Sequence, residues 1–281
     1  EVLNVLGHVY RRSDRLSQAI ELYNQALRIE TQQLGNLHPN LVSTLRGLGI
    51  VARDQLRYEE SLSHFQRALS IQEKSLGENN IRVSDYHIQL VRTLMAMSRL
   101  DDAERHAQRA LDIRRSSDAR ADIDRLTEAV YFMGEVKAQK GDLQTALKLH
   151  EEGMRLREQQ RSDRREEMLA YSLTSAGEVL LQLGQPASAR PYLERALNFR
   201  ETQPIDTKRA ERPALGRTQF AMAQTLWAIG GPEQQQQAIE LAKAAAAEYD
   251  AYGNRPGNIL PRITTWLDLH KLTGTKRHHA R

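Results

Sequence analysis

The sequence repeats itself with a period of 42 residues over its first two units. Small residues, aromatic residues and Leu-Gly pairs recur at this distance. The matching positions are Gly7 and Gly49, Ala19 and Ser61, Tyr23 and Phe65, Ala26 and Ala68, and Leu34-Gly35 and Leu76-Gly77. Later units step by 43 residues, as between Gly134 and Gly177. A repeat of this length predicts a row of similar supersecondary units, each packed only against its neighbours.

Each unit has the pattern of two amphipathic helices, which we call helix A and helix B. In the first unit, helix A is expected at residues 2–10 and helix B at 16–34, where apolar residues follow the 3.6-residue helical period. Gly35 ends helix B, because glycine adopts the left-handed conformation common after helix C-termini. Pro39 opens the next helix, in whose first turn the missing N–H has no cost. The sequence therefore predicts a chain of helical hairpins.

Six units are expected, at about residues 1–38, 39–80, 81–120, 121–163, 164–206 and 207–254, together forming one solenoid domain. In the sixth unit, Gly230-Gly231-Pro232 precedes a glutamine run at 234–237. We interpret this run as an extended turn and a first helical turn, with helix B resuming at 238–252. Residues 255–281 are expected to form a capping helix, at about 260–272, and a frayed basic tail.

Composition excludes several classes of function. The chain has no cysteine, which rules out disulfides, thiol catalysis and Cys-ligated zinc. No apolar run approaches the length of a membrane span and no signal peptide is visible, so we expect no membrane span and a cytoplasmic location. We also expect no catalytic residues, no metal and no cofactor, because no such arrangement stands out. The sequence starts at Glu1 inside a helical pattern, and we expect it to be cut from a longer protein at a repeat boundary.

Specific residues in the second unit allow a family comparison. They are Leu48-Gly49 in helix A, Tyr58 at the turn, Ser61, Phe65 and Ala68 in helix B, and the preceding joint Leu34-Gly35-Asn36-Leu37-His38-Pro39. With these residues the chain resembles tetratricopeptide repeats of the 42-residue type found in kinesin light chains. The resemblance implies an all-α fold, a right-handed superhelical solenoid of about six helix-turn-helix repeats with a C-terminal capping helix.

The C-terminal stretch LWAIGGPEQQQQAIELAKAAAAEYDAYG, followed by ITTWLDLH, resembles the repeat region of bacterial serine/threonine protein kinases. No kinase motif lies in these residues. The two resemblances imply a non-catalytic scaffold that binds proteins or peptides, as the regulatory or docking region of a larger bacterial signalling protein such as a serine/threonine kinase. The alternative is an assembly element that self-associates through exposed repeat ends and brings an attached effector domain together.

In this family the groove is lined by non-core positions of helix A. The groove residues predicted in this way are Asn4, His8, Arg11, Arg46, Ile50, Arg53, Arg92, Tyr131, Glu135, Tyr171, Glu178 and Trp227. Arginines dominate the N-terminal half, which predicts an acidic partner segment, because guanidinium groups bind carboxylate or phosphate through paired donors. Glutamates and aromatic rings in the C-terminal half suggest a basic or aromatic segment. These glutamates interrupt the basic stripe that nucleic acid would need. The alternative is that the groove arginines and glutamates pair with each other.

The groove departs from the family at one position. Kinesin light chain repeats use an asparagine of helix A to grip the peptide backbone. Asn4 keeps this residue in the first unit, but Arg46 replaces it in the second. The partners of kinesin light chains are therefore not transferred to this chain.

Overall fold

The structure is a computed structural model that describes residues 2–116, 122–158, 165–203, 212–253 and 257–277. Within these ranges the secondary structure consists of thirteen α-helices. Their bounds are α1 (Val2–Arg12), α2 (Leu16–Leu34), α3 (Leu41–Asp54), α4 (Tyr58–Leu76), α5 (Ile81–Ala96), α6 (Leu100–Ser116), α7 (Ile123–Gln139), α8 (Leu143–Glu158), α9 (Arg165–Gln182), α10 (Pro186–Thr202), α11 (Arg212–Ile229), α12 (Pro232–Tyr252) and α13 (Leu260–Arg277). None of these helices is long and apolar enough to cross a bilayer.

The chain divides into two compact units, Glu1–Lys140 and Gly141–Arg281. In unit 1, helices α1 to α7 pack in chain order, so that α3 contacts both α2 and α4 and α5 contacts both α4 and α6. In unit 2, helices α8 to α13 pack in the same sequential way. The odd-numbered helices from α1 to α11 correspond to helix A of the six repeats. Each unit is therefore a stack of helical hairpins, as the repeat pattern predicts.

The turn from helix A to helix B is the same in successive repeats. Each turn has a residue with a positive φ, and these residues recur every 42 or 43 positions before one longer step; the sixth turn has a second one, Gly231. They are Asp14, Leu56, Ser98, Gly141, Gly184 and Gly230. The next N–H reaches back to the carbonyl five residues earlier, as from Arg57 to Ala52 at 2.8 Å and from Arg99 to Leu94 at 2.9 Å. This bond satisfies a carbonyl at the end of helix A and reverses the chain.

Glycines set how closely helix A approaches an aromatic ring of helix B. A Cβ atom on Gly49 would lie 2.8 Å from the Phe65 ring, and one on Gly47 only 2.5 Å from the Tyr23 ring. Real Cβ contacts are longer than this, so neither position accepts alanine without movement of the ring. Gly49 thus allows a close approach within one repeat, and Gly47 allows a second one between repeats.

Small residues of helix B recur in the core, once at the same position of each of the first five repeats. The residues at the predicted small positions, which are all fully buried, are Ala19, Ser61, Ala103, Ala146 and Ala189. The Ser61 hydroxyl donates to the Gly49 carbonyl at 2.8 Å, which satisfies its polar group inside the core.

Several boundaries differ from those predicted. Helix α1 continues to Arg12, two residues beyond the predicted end. Helix α12 begins at Pro232, so the glutamine run is helical throughout and is not an extended turn. Gly231, with a φ of 94°, makes the preceding turn, and proline fits the first helical position. Helix α13 includes Lys276 and Arg277, which were expected in a frayed tail. The rest of that tail, 278–281, lies outside the described residues.

Candidate functional site

A concavity of about 460 Å³ opens in unit 1 between helices α1 and α3. Five of the predicted groove residues line it. The complete lining is Asn4, Val5, His8, Arg11, Tyr23, Ser43, Arg46, Gly47 and Ile50. The helix A positions predicted from the repeat register of the first two units therefore meet around one space.

Tyr23 of α2 is a buried residue of the core and also forms one wall of this concavity. Its ring lies between Gly7 of α1 and Gly47 of α3, where Cβ atoms would be 2.9 Å and 2.5 Å from it. Burial raises the pKa of the Tyr23 hydroxyl, and the nearby guanidinium groups of Arg11 and Arg46 oppose this effect. The glycines thus admit a ring that joins three helices and carries its hydroxyl close to two arginines.

Asn4 is held by residues of the two following helices. Its amide Nδ2 donates to Glu30 Oε1 at 3.1 Å. The Thr44 hydroxyl lies 2.9 Å from Asn4 Oδ1 and 2.7 Å from Glu30 Oε2. Both oxygens of the Glu30 carboxylate are therefore engaged, and the second amide hydrogen of Asn4 is donated to the Ser43 hydroxyl over a long 3.5 Å.

The four predicted groove arginines of unit 1 lie near one another and lack carboxylate partners. Across the described residues, neither Arg11, Arg46, Arg53 nor Arg92 forms an ion pair within 4.0 Å. Arg53 is buried, and burial together with the charge of Arg92 lowers its pKa to about 9, with Arg11 and Arg46 contributing and Asp54 opposing. This part of unit 1 is therefore strongly electropositive.

Arg53 and Arg92 have apolar and polar neighbours in place of carboxylates. Arg53 Nη1 donates to Gln89 Oε1 at 3.0 Å, and its guanidinium carbon lies 5.7 Å from the centre of the Phe65 ring. The guanidinium of Arg92 lies 5.7 Å from the centre of the Phe132 ring. Arg53 is almost completely buried. It therefore adds positive charge to the basic region but offers little surface for contact with a ligand.

His8 is exposed at the rim of the concavity. Burial lowers its pKa first, followed by the positive charges of Arg11, Arg12 and Arg46. The imidazole is therefore neutral at pH 7, and its pKa reports on the charge of the surrounding arginines.

The remaining predicted residues of unit 1 lie on helix α7. Tyr131 and Glu135 are both partly exposed, and the Tyr131 ring meets the Phe132 ring edge-on at 5.2 Å. On the same helix, Glu128 accepts from Arg114 Nη1 at 3.2 Å, and Arg114 Nη2 also donates to Asp85 Oδ1 at 2.9 Å. Carboxylates near the helix A surface are thus partly neutralised by the chain itself.

In unit 2 the predicted residues are engaged with other side chains. Arg217 Nε donates to both oxygens of Glu178, at 3.0 Å and 2.9 Å. The guanidinium of Arg200 lies 4.6 Å from the centre of the Tyr171 ring.

Trp227 packs against the terminal helix α13, 5.6 Å from the centre of the Trp266 ring and 4.3 Å from that of His270. Internal pairing, the alternative considered for the groove, therefore applies to Glu178 and not to the four predicted groove arginines of unit 1.

Sequence reasoning missed a set of buried arginines near the ends of helix B. Arg114, Arg157 and Arg200 are each at most 2% exposed, and they follow one another at 43-residue intervals. Glu30 occupies the same position in the first repeat. Arg114 and Arg200 contact helix A of their own and of the next repeat, through Asp85 and Glu128 and through Tyr171 and Thr218. Their regular 43-residue spacing could have indicated a shared structural role. The spacing alone did not indicate burial, because charged residues at helix ends are normally solvated.

No group of three or more His, Cys, Asp or Glu side chains suited to a metal ion occurs in the part of the chain that the structure describes. The concavity is instead lined by arginine, asparagine and hydroxyl donors, which suit an anionic or peptide ligand.

A family comparison agrees with the helical repeats. The profile described as Tetratricopeptide repeat matches residues 1–74, 43–116 and 126–202, more than half of the chain. The chain belongs to the tetratricopeptide repeat family. The expected all-helical repeat fold is thereby confirmed. Such stacked repeats are scaffolds for protein–protein interaction, which build extended binding surfaces from successive units. A search of curated proteins gives no match.

Several solved structures share the fold. A kinesin light chain-like protein of Podospora anserina with nearly identical repeats has a TM-score of 0.59 at 17% identity, over 69% of this chain and 92% of that chain. The apo form of RapI has a TM-score of 0.68 at 12% identity, over 99% and 98%. The Rap conjugation gene regulator of plasmid pLS20, in complex with the Phr* peptide, has a TM-score of 0.60 at 18% identity, over 97% and 73%. At these identities the similarity concerns the fold alone.

Proposed function

We propose that this tetratricopeptide chain is a non-catalytic peptide-binding scaffold whose concavity in unit 1 takes an acidic segment of a partner protein. The observation that carries the proposal is the set of groove arginines without carboxylate partners. Arg11 and Arg46 line the same concavity as Asn4 and Ser43, so charged and neutral donors converge on one space. A structure with a similar fold is known with a bound peptide, the Rap regulator with Phr*.

The mechanism is complementarity of charge and shape. Arginine side chains bind carboxylates through two parallel N–H donors, and Val5 and Ile50 offer apolar contact beside them. On binding, a backbone carbonyl of the partner would replace Ser43 Oγ, which lies 3.5 Å from the amide nitrogen of Asn4, and asparagine would then have the role that it has in kinesin light chains. We limit the proposal to an acidic segment. Glu178 of unit 2 already binds Arg217, so it would bind a basic segment of a partner poorly.

Fluorescence anisotropy with a fluorescein-labelled peptide of alternating Glu and Ala tests this function. We expect Arg46→Glu to weaken binding by about ten- to a hundredfold, the loss of a charge-assisted contact of roughly 1.5–3 kcal/mol. Arg28→Glu is the matched control, since Arg28 is an exposed arginine of α2 outside this concavity. Equal losses in the two variants would mean nonspecific attraction, and no loss in Arg46→Glu would reject the proposal. Far-UV circular dichroism verifies that both variants are folded.

A second candidate function, self-association, has support from the outer face of α1. Val2, Val5, Leu6 and Val9 are 79%, 66%, 39% and 50% exposed. The residues 42 positions later in α3 are Thr44, Gly47, Leu48 and Val51, and all four are buried. Two of them meet the preceding helix α2, Thr44 through Glu30 and Gly47 through Tyr23. The exposed face of α1 thus has the register of a repeat-stacking surface.

Light scattering distinguishes the two functions. If α1 mediates self-association, the chain forms dimers or larger species as its concentration rises, and Val5→Glu restores the monomer. Leu37→Glu is the control, because Leu37 is 60% exposed at a turn of the same unit. A monomer at high concentration counts against self-association.

The setting of the scaffold is also a proposal. We infer from the resemblance of the sixth unit and cap to kinase-associated repeats that it belongs to a larger, cytoplasmic bacterial signalling protein such as a serine/threonine kinase. The reading frame upstream of the codon for Glu1 tests this. A catalytic domain of another kind there would contradict the kinase assignment and leave the binding proposal intact.

A further inference from the structure

We propose that the concavity between α1 and α3 binds a doubly charged phosphate monoester, as carried by a phosphorylated serine or threonine of the partner peptide. The inference rests on the proposed function and names the acidic group that the site prefers. Its structural basis is the juxtaposition of Arg11 and Arg46 on one concave surface with the amide of Asn4 and the hydroxyl of Ser43.

The first argument is a contrast within the chain. Three arginines that join helices of different repeats are matched by carboxylates. Arg114 pairs with Asp85 and Glu128, Arg125 also pairs with Asp85, and Arg217 pairs with Glu178. Arg11 and Arg46 have no such partner among the described residues, although they line a shared concavity. Their charges are therefore available to a ligand.

The second argument is the number of these charges. A carboxylate brings a single negative charge, whereas a phosphate monoester carries about −1.5 to −2 at pH 7 and three acceptor oxygens. Arg11 and Arg46 supply two positive charges at the concavity itself, and the neighbouring Arg53 and Arg92 add to the potential. A dianion can engage both lining arginines at once. A carboxylate has a single charge, so it leaves much of the repulsion between the two guanidinium groups uncompensated.

The third argument is the arrangement of the neutral groups. The Glu30 carboxylate is held by Asn4 and Thr44 at 3.1 Å and 2.7 Å. It therefore does not pair with Arg11 or Arg46. Ser43 is exposed at the lining, and its hydroxyl makes only a long bond of 3.4 Å to the Asn40 carbonyl, which a phosphate oxygen would replace. Val5 and Ile50 complete the surface beside the charged groups, where the carbon chain of the phosphorylated residue would lie.

His8 provides a reporter that responds to charge and not to folding alone. The positive charges of Arg11 and Arg46 contribute to its lowered pKa. A bound dianion offsets these charges, so the pKa of His8 rises on binding. The signal is assigned by its loss in His8→Gln.

The experiment is an NMR titration of the full chain with two pentapeptides, acetyl-Ala-Ala-phosphoserine-Ala-Ala-amide and the same peptide with Glu in place of phosphoserine. We expect the phosphopeptide to bind the wild type about tenfold more tightly than the Glu peptide, because it engages a second arginine. We also expect the phosphopeptide to raise the pKa of His8. In Arg46→Gln the preference falls below about threefold, whereas Arg28→Gln, a matched change on α2, keeps it.

The outcomes separate the two proposals. Equal affinity for both peptides, with loss of both in Arg46→Gln, overturns the phosphate preference and leaves the acidic-peptide function standing. A phosphopeptide preference that survives in Arg46→Gln, or that leaves the pKa of His8 unchanged, places the phosphate elsewhere and also overturns the inference. Failure of both peptides to bind argues against the phosphate site and against the proposed function together. Far-UV circular dichroism confirms that Arg46→Gln is folded.

Discussion

Acid should destabilise the third repeat of unit 1 through a pair of histidines. His87 of α5 is 6% exposed, and its Nδ1 lies 2.9 Å from Nδ1 of His106 on α6. One ring nitrogen must donate and the other accept, so the two imidazoles cannot both be protonated in the pair. Nε2 of His87 is buried without a hydrogen-bond partner in the described structure. A proton on His87 therefore has neither solvent nor an acceptor to stabilise it.

The size of the effect follows from the pKa of His87. Burial, followed by His106 and Arg109, lowers it from 6.5 to about 4. In the unfolded chain the same group takes up a proton near pH 6.5. Between pH 6.5 and pH 4 the unfolded state therefore binds more protons than the folded state, and the unfolded state is stabilised relative to it. The stabilisation is fully present above pH 6.5 and is lost as pH falls towards 4, with a total of about 3 kcal/mol. About 2 kcal/mol of this is lost between pH 7 and pH 5.

The perturbation that isolates this effect is His87→Leu. The equivalent residues of the neighbouring repeats, Leu45 and Val130, are fully buried aliphatics, so leucine suits the position. Urea unfolding followed by circular dichroism at pH 7, 6 and 5 should show that the wild type loses about 2 kcal/mol more than the variant. His38→Gln, at a turn between helices, controls for removal of a histidine as such and should follow the wild type. Parallel pH dependences of wild type and His87→Leu would refute the reasoning.

Three further changes test the packing. Leu56→Gly should stabilise unit 1 by up to about 1 kcal/mol in urea unfolding, because Leu56 has a φ of 64°. This conformation costs an L-residue roughly 1–2 kcal/mol and glycine nothing. A clear loss of stability in the variant would contradict this. Gly177→Ala should destabilise unit 2 by about 1–3 kcal/mol, since its Cβ would lie 2.5 Å from Cγ of the buried Leu193, and an unchanged midpoint would disprove the overlap. Arg114→Met should lower the thermal midpoint at low salt, because it leaves Asp85 without one of its arginine partners, and a higher midpoint would show that the ion pair costs more than it contributes.

Local features of the fold could be predicted from the sequence because they depend on short stretches of chain. Helix periodicity lies within each unit, and its recurrence every 42 or 43 residues transferred the interpretation of one unit to the next. The same register placed Asn4, His8, Arg11, Arg46 and Ile50 on corresponding positions of helix A. The structure brings these five residues around one concavity, and their role in binding stays a prediction.

Other features depend on what packs against a side chain from the next repeat. Arg53 had the pattern of a groove contact, but it is buried beside Phe65 and Gln89. Trp227 was expected in the groove and packs against α13. The sequence of a single helix does not identify these packing partners, because they lie on other helices far along the chain.

The sequence by itself determined that the chain is a helical repeat protein, because small residues, glycines and turns recur at a spacing that only stacked hairpins satisfy. The tertiary structure decided which charges are neutralised. Arg114 and Arg46 are both arginines on amphipathic helices, but only Arg114 meets carboxylates, from Asp85 and Glu128. Coulomb interactions depend on distance through space, and the distances between side chains of different repeats are set only when the hairpins stack. This difference leaves Arg46 available at an open concavity.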